Sequence, residues 1–561
     1  MISINLFGCN TDLDALVLNE SDEEEDLGYL IVDSGQVVLP LTPFNTLNPL
    51  MTSNESYHYF SKLIFEGLFE FDNKLEPKPR LASTYTIKNE GRTISVKLRE
   101  DVYWHDGEKL TTSDILFTIN VLKNSPPDTI YNTMIKNAFG SINNGSASNI
   151  LDAKVLDEYN IEINFDKGYS NNLEVLTFPI IPSHAFNNAG GNVGYGDALI
   201  LDGYTPIGTG PYKFVDYDKY KSVTLEANEN YREGKPSIGN IMGMVLKDEE
   251  LFLTAFEAGQ INITPAIGVD WDKYKHNDRI RTLEYMSSNY EFLGFNFAKD
   301  IFLGDKGVAI RKAINYGIDR QEIIKKIHLG HATQVDQPIN PDSWLISQEA
   351  NLYGYNVENS KQILKTAGFI DNDGDGVLED AEGNKLAFSL ITNPSNLYRF
   401  RTAEMIKEDL KIIGIELNLD FDTSYKENIT KEDISSEWEG LNSRLSSGNF
   451  DIALLGWQMS VIPDLSFIYH SSQIGSNNFI KYSNESIDSL LIKANDSYQR
   501  EDKLLAYQEL QEFLVNNLPY VSLFYNNKAL LVDAKIMGDL SPTFFNPYNG
   551  LEKCFIAIES E

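Results

Sequence analysis

Ala403-Glu404-Met405-Ile406-Lys407-Glu408-Asp409-Leu410-Lys411-Ile412-Ile413-Gly414-Ile415-Glu416-Leu417-Asn418-Leu419-Asp420-Phe421 changes its apolar period at a single residue. Before Gly414, Ala403, Ile406, Leu410 and Ile413 recur at helical spacing; after it, Ile415, Leu417, Leu419 and Phe421 alternate with polar residues as a strand does. Glycine at the switch suits a helix end that passes through the left-handed region. A helix feeding straight into a strand is the unit that lines a helix-covered sheet, so the stretch predicts a mixed α/β fold.

The same alternation extends outward in both directions. Ile310, Ala313, Ile314, Gly317 and Ile318 predict a helix, and Leu504, Tyr507, Leu510 and Leu514 another, closed by Pro519 before Val521, Leu523 and Tyr525 alternate. Earlier, Tyr85 and Ile87, a turn at Asn89-Glu90-Gly91, and then Ile94, Val96 and Leu98 predict a hairpin. Thr111 or Thr112 caps a helix carrying Ile115, Ile119 and Leu122. Strands and helices interleave from Tyr29 onward, with no internal repeat.

A chain of 561 residues exceeds what one core organises, and 42% apolar residues suffices for more than one, so two or three globular units are expected. Lys plus Arg number 47 against 82 Asp plus Glu, a net charge of −35 that repels phosphate backbones and anionic membrane surfaces. Nucleic acid is therefore not an expected partner. Cys9 and Cys554 build neither a disulfide framework nor a metal-ligand cluster. Beyond the first residues there is no apolar run long enough for a membrane span.

Catalytic signatures are missing. His58, His105, His184, His276, His328, His331 and His470 include no H-E-x-x-H, and there is no G-x-S-x-G elbow or P-loop. An enzyme, such as a calcium-dependent extracellular hydrolase, is not expected. Asp371 to Glu382 does satisfy the calcium-loop pattern D-x-D-x-D-G-x5-E. Its expected ligands are Asp371, Asp373, Asp375, the Val377 carbonyl and a bidentate Glu382, with Gly376 permitting the sharp turn. A helix through Ile363, Leu364 and Ala367 leads in and an alternating Leu386, Phe388 and Leu390 leads out, so a single structural Ca2+ clip is expected, not an EF-hand pair.

Leu6-Phe7-Gly8-Cys9 resembles a bacterial lipobox with Cys9 as the lipidated residue, and residues 1–27 read as an acidic tether through Asp22-Glu23-Glu24-Glu25-Asp26. Phe7 is bulky for that motif and no basic segment precedes it, so the true start is expected to lie upstream.

Several blocks occur together and in order. They are Leu47-Asn48-Pro49, Phe65-Glu66-Gly67-Leu68, Pro79-Arg80-Leu81-Ala82, Val96-Lys97-Leu98-Arg99, Trp104-His105-Asp106-Gly107 and Leu110-Thr111-Thr112-Ser113-Asp114. Gly208-Thr209-Gly210-Pro211-Tyr212, Asn230-Tyr231, Phe295-Asn296, the run Arg311 to Arg320 and Gly456-Trp457 continue the series. In these the chain resembles the peptide- and nickel-type solute-binding proteins of bacterial ABC importers, family 5. The resemblance implies a two-lobed, class II periplasmic-binding-protein-like α/β fold with an extra subdomain. By position, the first lobe takes residues 28–65, 190–290 and 521–561, the inserted subdomain 66–189 and the second lobe 291–520. It further implies a monomer at the extracellular face of the cell membrane or in the periplasm, closing over a small extended ligand and docking on permease subunits.

For binding, the resemblance points to Thr52, Ser53 and Asn54 from the first lobe and to Gly456, Trp457, Gln458, Met459, Ser460 and Asp464 from the second. Peptide-binding relatives place a carboxylate three residues beyond the tryptophan, where it neutralises the peptide's N-terminal ammonium. Here that residue is Ser460, which can accept a hydrogen bond but supplies no counter-charge. Three outcomes stay open: an oligopeptide whose amine meets another acid, with Asp464 as one option; a ligand without a free amine; or a capped peptide. A nickel chelate, haem, an oligosaccharide and a signalling peptide are the alternative ligands.

Overall fold

Helix Leu397–Ile412 buries Ala403, Ile406 and Leu410 and is capped by Asn396, whose side chain accepts the Arg399 N–H. Gly414 turns the chain at φ 82°, and the parallel strands Glu416–Leu419 and Ala387–Ile391 then lie side by side, as the period change predicts. This is the geometry in a computed structural model that describes residues 29–32, 35–186, 194–200, 203–266, 268–350, 353–422 and 430–559. Cys9 and the expected tether lie outside the described residues.

These two strands form one edge of a mixed seven-stranded sheet. Its order runs Ile263–Pro265, Tyr520–Asp533, Ile280–Phe295, Ile452–Gln458, Ala387–Ile391, Glu416–Leu419, and Ala332–Gln334 also pairs with Tyr520–Asp533. A second sheet joins Gln36–Leu41 in parallel to Asn240–Val245, followed antiparallel by Ser222–Ala227 and Tyr212–Asp218. A third, wholly antiparallel, orders Ala82–Lys88, Thr93–Leu98, Asn160–Phe165 and Ile150–Val155. The hairpin opening this third sheet turns through Asn89, Glu90 and Gly91, all at positive φ. Thr111 and Asp114 form a capping box on helix Thr112–Asn124.

Apolar burial divides the molecule into two large cores. One gathers the second and third sheets, from Val37 through Ile181 to Ile263; the other gathers residues from Tyr290 to Tyr525. Strands Ile280–Phe295 and Tyr520–Asp533 run through both. Leu530 and Val532 pack in the first core, whereas Val521, Leu523, Phe292 and Leu293 pack in the second. Between them the ladder shifts register from Met286 to Tyr290, a bulge that re-aims the strand. The joints expected at 290/291 and 520/521 fall on these two paired strands.

Residues of the ordered blocks hold parts of the fold together. Glu66 is buried and accepts from Arg80 at 2.7 Å, from both Arg232 terminal nitrogens at 2.6 and 2.7 Å and from the Thr209 hydroxyl at 2.8 Å. Burial pushes its carboxyl up, but Arg232 and Arg80 outweigh this and hold it below the ordinary range. His105 clasps the Gly208-Thr209-Gly210 turn: its Nδ1 accepts the Gly208 N–H at 3.2 Å and its Nε2 donates to the Gly210 carbonyl at 3.0 Å. A Cβ on Gly208 would lie 1.8 Å from the Ile64 carbonyl oxygen, so only glycine fits there.

Candidate functional site

Strand Ile452–Gln458 lies antiparallel to Ile280–Phe295, with Trp457 opposite Tyr290 and Gly456 opposite Glu291. Alternation sends the two pairs to opposite faces. On one face the half-buried Trp457 packs near Phe292, Phe467 and Phe479, with ring centroids 6.4, 5.4 and 6.1 Å away, and its indole N–H meets the Tyr520 hydroxyl at 3.4 Å. Burial lifts the Tyr520 pKa well above its ordinary value, although Trp457 pulls the other way, so this phenol stays neutral.

On the other face Arg399 and Glu291 form a bidentate ion pair, Nε to Oε2 at 2.8 Å and Nη2 to Oε1 at 2.9 Å, and Arg399 Nη1 also donates to Asn393 Oδ1 at 2.8 Å. The pair crosses Gly456. A Cβ there would stand 2.5 Å from Arg399 Nη2 and 2.5 Å from Glu291 Oε1, so a side chain would force a largely buried ion pair aside.

Gln458 ends the strand exposed, and the Met459 N–H donates to the Ser288 carbonyl at 2.8 Å. Ser460 Oγ accepts the Ile462 N–H at 3.1 Å. From there the chain changes bodies: Leu455 and Met459 pack in the second core, Val461 and Ile462 in the first. Asp464 has both oxygens engaged, Oδ2 accepting the Ser141 N–H at 2.8 Å and Oδ1 the N–H of Ser466 at 2.9 Å as well as its hydroxyl. The Tyr507 hydroxyl donates to the Pro463 carbonyl.

The first-lobe residues hold a turn. Thr52 is buried, accepting the Ile130 N–H on its carbonyl at 3.1 Å and the Asn54 N–H on its hydroxyl at 3.0 Å. Asn54 caps helix Glu55–Ser61 by accepting the Tyr57 N–H at 2.8 Å, and Ser53 is exposed. Of the expected calcium ligands, Asp371, Asp373 and Asp375 come together with Glu379, one carboxylate oxygen of each lying within 4.8 Å of the others. Glu382 stands on a separate exposed turn, its N–H donating to Asp380 Oδ1 at 3.0 Å.

Sequence reasoning passed over the Glu291–Arg399 pair, whose members lie 108 positions apart. The one local signal is an acid inside the apolar run Tyr290-Glu291-Phe292-Leu293.

Residues 76–479 match the family described as bacterial extracellular solute-binding proteins, family 5 Middle. The chain belongs to this family. As a family 5 solute-binding protein of the peptide and nickel class, it is part of a group that serves ABC importers through binding, not catalysis. It is 28% identical over 498 residues to oligopeptide-binding protein AppA of Bacillus subtilis, covering 88% of this chain and 86% of that protein. It is also 24% identical over 517 residues to heme-binding protein A of Haemophilus influenzae, covering 90% and 89%. The structure of Bacillus subtilis AppA in complex with a nonapeptide aligns with 94% of this solute-binding protein and 100% of that chain, with a TM-score of 0.59 at 24% identity. The fold is that of the two-lobed family 5 binding proteins. Among the described residues no helix is long and apolar enough to cross a membrane.

Proposed function

We propose that this protein captures an extended oligopeptide between its lobes outside the cell and presents it to the permease subunits of an ABC importer, catalysing nothing itself. The carrying observation is the path of Gly456 to Ile462, which leaves the second core beside a half-buried Trp457 and enters the first. A ligand laid along this segment touches both bodies at once, so its binding energy accrues in the closed arrangement and shifts the open–closed population. An extended peptide suits such a site because it pairs its backbone with a strand end and leaves its side chains to permissive pockets. Relatives named for oligopeptides support the reading.

The lobes take the division 28–65, 190–290 and 521–561 against 291–520, with 66–189 inserted. The paired strands Ile280–Phe295 and Tyr520–Asp533 act as the connection that bends. The exposed Ser53 faces the ligand from one side, on a turn held by Thr52 and Asn54, and Gly456 to Ser460 from the other. The receptor is monomeric, needs no cofactor for capture and is held to the membrane by lipid on Cys9, with residues 1–27 as tether.

A second reading rests on Ser460 and Asp464. Neither offers a free carboxylate, since Ser460 accepts the Ile462 N–H and both Asp464 oxygens already accept protein donors. This favours a ligand without a free amine: a capped or signalling peptide, a metal chelate or an oligosaccharide. Native mass spectrometry of the purified protein identifies any retained ligand, and matched peptides with free and acetylated N-termini then separate the readings. Preference of about tenfold or more for the free amine discards the second reading. Equal binding supports it, and failure to bind any peptide overturns the first.

A further inference from the structure

The loop between helix Val357–Thr366 and strand Ala387–Ile391 is shaped around its own carboxylates. Gly374 and Gly376 lie at φ 79° and 90°, and Asp371 accepts both of their N–H groups, at 2.7 and 3.0 Å. Asp373 Oδ1 accepts the Asp375 N–H at 3.1 Å, and Asp375 Oδ1 accepts the Val377 N–H at 2.9 Å. Acidic surface loops are common, and these contacts alone assign nothing.

Glu379 is different. It is 4% exposed, its Oε2 accepts the Asn372 N–H at 2.8 Å, and its Oε1 is buried without any hydrogen-bond partner. A buried carboxylate oxygen with no donor is costly, and more so on a carboxylate that has an oxygen within 4.8 Å of an oxygen from each of three aspartates. The backbone holds it in place: Glu379 and Ile370 exchange N–H···O bonds of 2.9 and 3.0 Å, and the Leu378 N–H donates to the Gly414 carbonyl at 2.9 Å. That pairing brings Glu379 back beside the start of the loop and carries Glu382 away to the next turn. Local positive charge comes from Lys385, whose ammonium contacts Asp375 and lies 3.0 Å from Asp373. It leaves Glu379 Oε1 unpartnered.

We propose that this loop is a calcium site whose side-chain ligands are Asp371, Asp373, Asp375 and Glu379, with the Val377 carbonyl completing the set and Glu382 excluded from it. An all-oxygen, carboxylate-rich donor set selects a hard divalent cation, and a loop that supplies so many protein oxygens suits calcium better than magnesium, which keeps its waters. The ion satisfies Glu379 Oε1 and displaces Lys385. It ties helix Val357–Thr366 and strand Ala387–Ile391 to the Gly414 turn, which enters edge strand Glu416–Leu419. Because an ammonium must give way, the expected dissociation constant is about 10⁻⁴–10⁻³ M, the range of extracellular modules.

The test is calorimetric titration of the full chain with calcium chloride, with magnesium chloride as comparison and melting temperature in calcium against EDTA as a second readout. Saturable binding of one calcium ion and a higher melting temperature are expected. Glu379→Gln weakens binding about tenfold or more, Glu382→Gln leaves it within about twofold, and Lys385→Met strengthens it. Lack of saturable calcium binding in both the native protein and Lys385→Met overturns the proposal, as does a Glu382→Gln loss equal to that of Glu379→Gln. No peptide enters these measurements, so their outcome is independent of the proposed transport function.

Discussion

Replacing Lys503 by methionine tests whether the two cores form a closing pair. Helix Arg500–Asn517 packs in the second core through Ala506, Tyr507, Leu510 and Leu514, yet the Lys503 ammonium contacts Glu174 and donates to Asn171 Oδ1 at 2.7 Å and to the Ser170 carbonyl at 3.2 Å. The neighbours of Glu174, Val175 and Leu176, belong to the first core. Lys503 and Glu174 are each 4% exposed, and the three ammonium protons match three acceptors. Around this pair the Ser170 N–H donates to the Asn495 carbonyl at 2.8 Å and the Trp344 N–H to the Lys74 carbonyl at 2.7 Å. Lys503→Met keeps most of the stem but strands the Glu174 carboxylate. Removing one member of a buried pair costs about 3–5 kcal/mol. The cost falls on the joined arrangement alone, since Glu174 reaches water when the bodies part. At about 1.4 kcal/mol per tenfold, the lower figure shifts the joined-to-separated ratio by about 100-fold. Ligand affinity should fall by up to that factor, and the radius of gyration from solution scattering should rise. Adding Glu174→Met should recover much of both, because an apolar pair replaces a buried ionic one at little cost. A Lys503→Met variant with a lower melting temperature but unchanged affinity and scattering would refute a closing pair, for Lys503 and Glu174 would then stitch one permanent body.

Other perturbations separate strain from charge. Gly208→Ala forces a methyl 1.8 Å from the Ile64 carbonyl oxygen, which as backbone cannot swing away, so a loss of about 1–3 kcal/mol or more is expected in chemical denaturation; unchanged stability would show that this turn is loosely held. Gly456→Ala collides instead with the tips of Arg399 and Glu291, and should weaken ligand binding more than it lowers the melting temperature in a paired titration and thermal melt. Burial presses the pKa of His105 and of His328 down to about 4. An unfolded histidine titrates near pH about 6.5. Between those values the unfolded chain binds more protons, so stability falls as the pH falls through that window, with no further loss from these groups below it. His328→Phe should flatten the dependence of melting temperature on pH between about 6.5 and 4; an unaltered slope would contradict the assignment of His328.

Short-range chemistry was legible. The period change at Gly414, the capping box at Thr111 and Asp114 and the turn at Asn89-Glu90-Gly91 each depend on residues a few positions apart, and each stands where local propensity puts it. The ordered blocks were legible as a resemblance, and the family match over residues 76–479 bears it out.

What the tertiary structure decided is which distant residues meet. Glu66 is one acid among many until Arg80, Thr209 and Arg232 converge on it. The calcium pattern counts to Glu382, yet the backbone exchange with Ile370 turns Glu379 toward the aspartates instead. The two expected joints, 290/291 and 520/521, lie on Ile280–Phe295 and Tyr520–Asp533, and only the tertiary structure pairs those two strands. The sequence by itself places a glycine before Trp457; only folding lays the Glu291–Arg399 pair across it, because helix and strand are brought together by packing around a shared core, which no local pattern encodes.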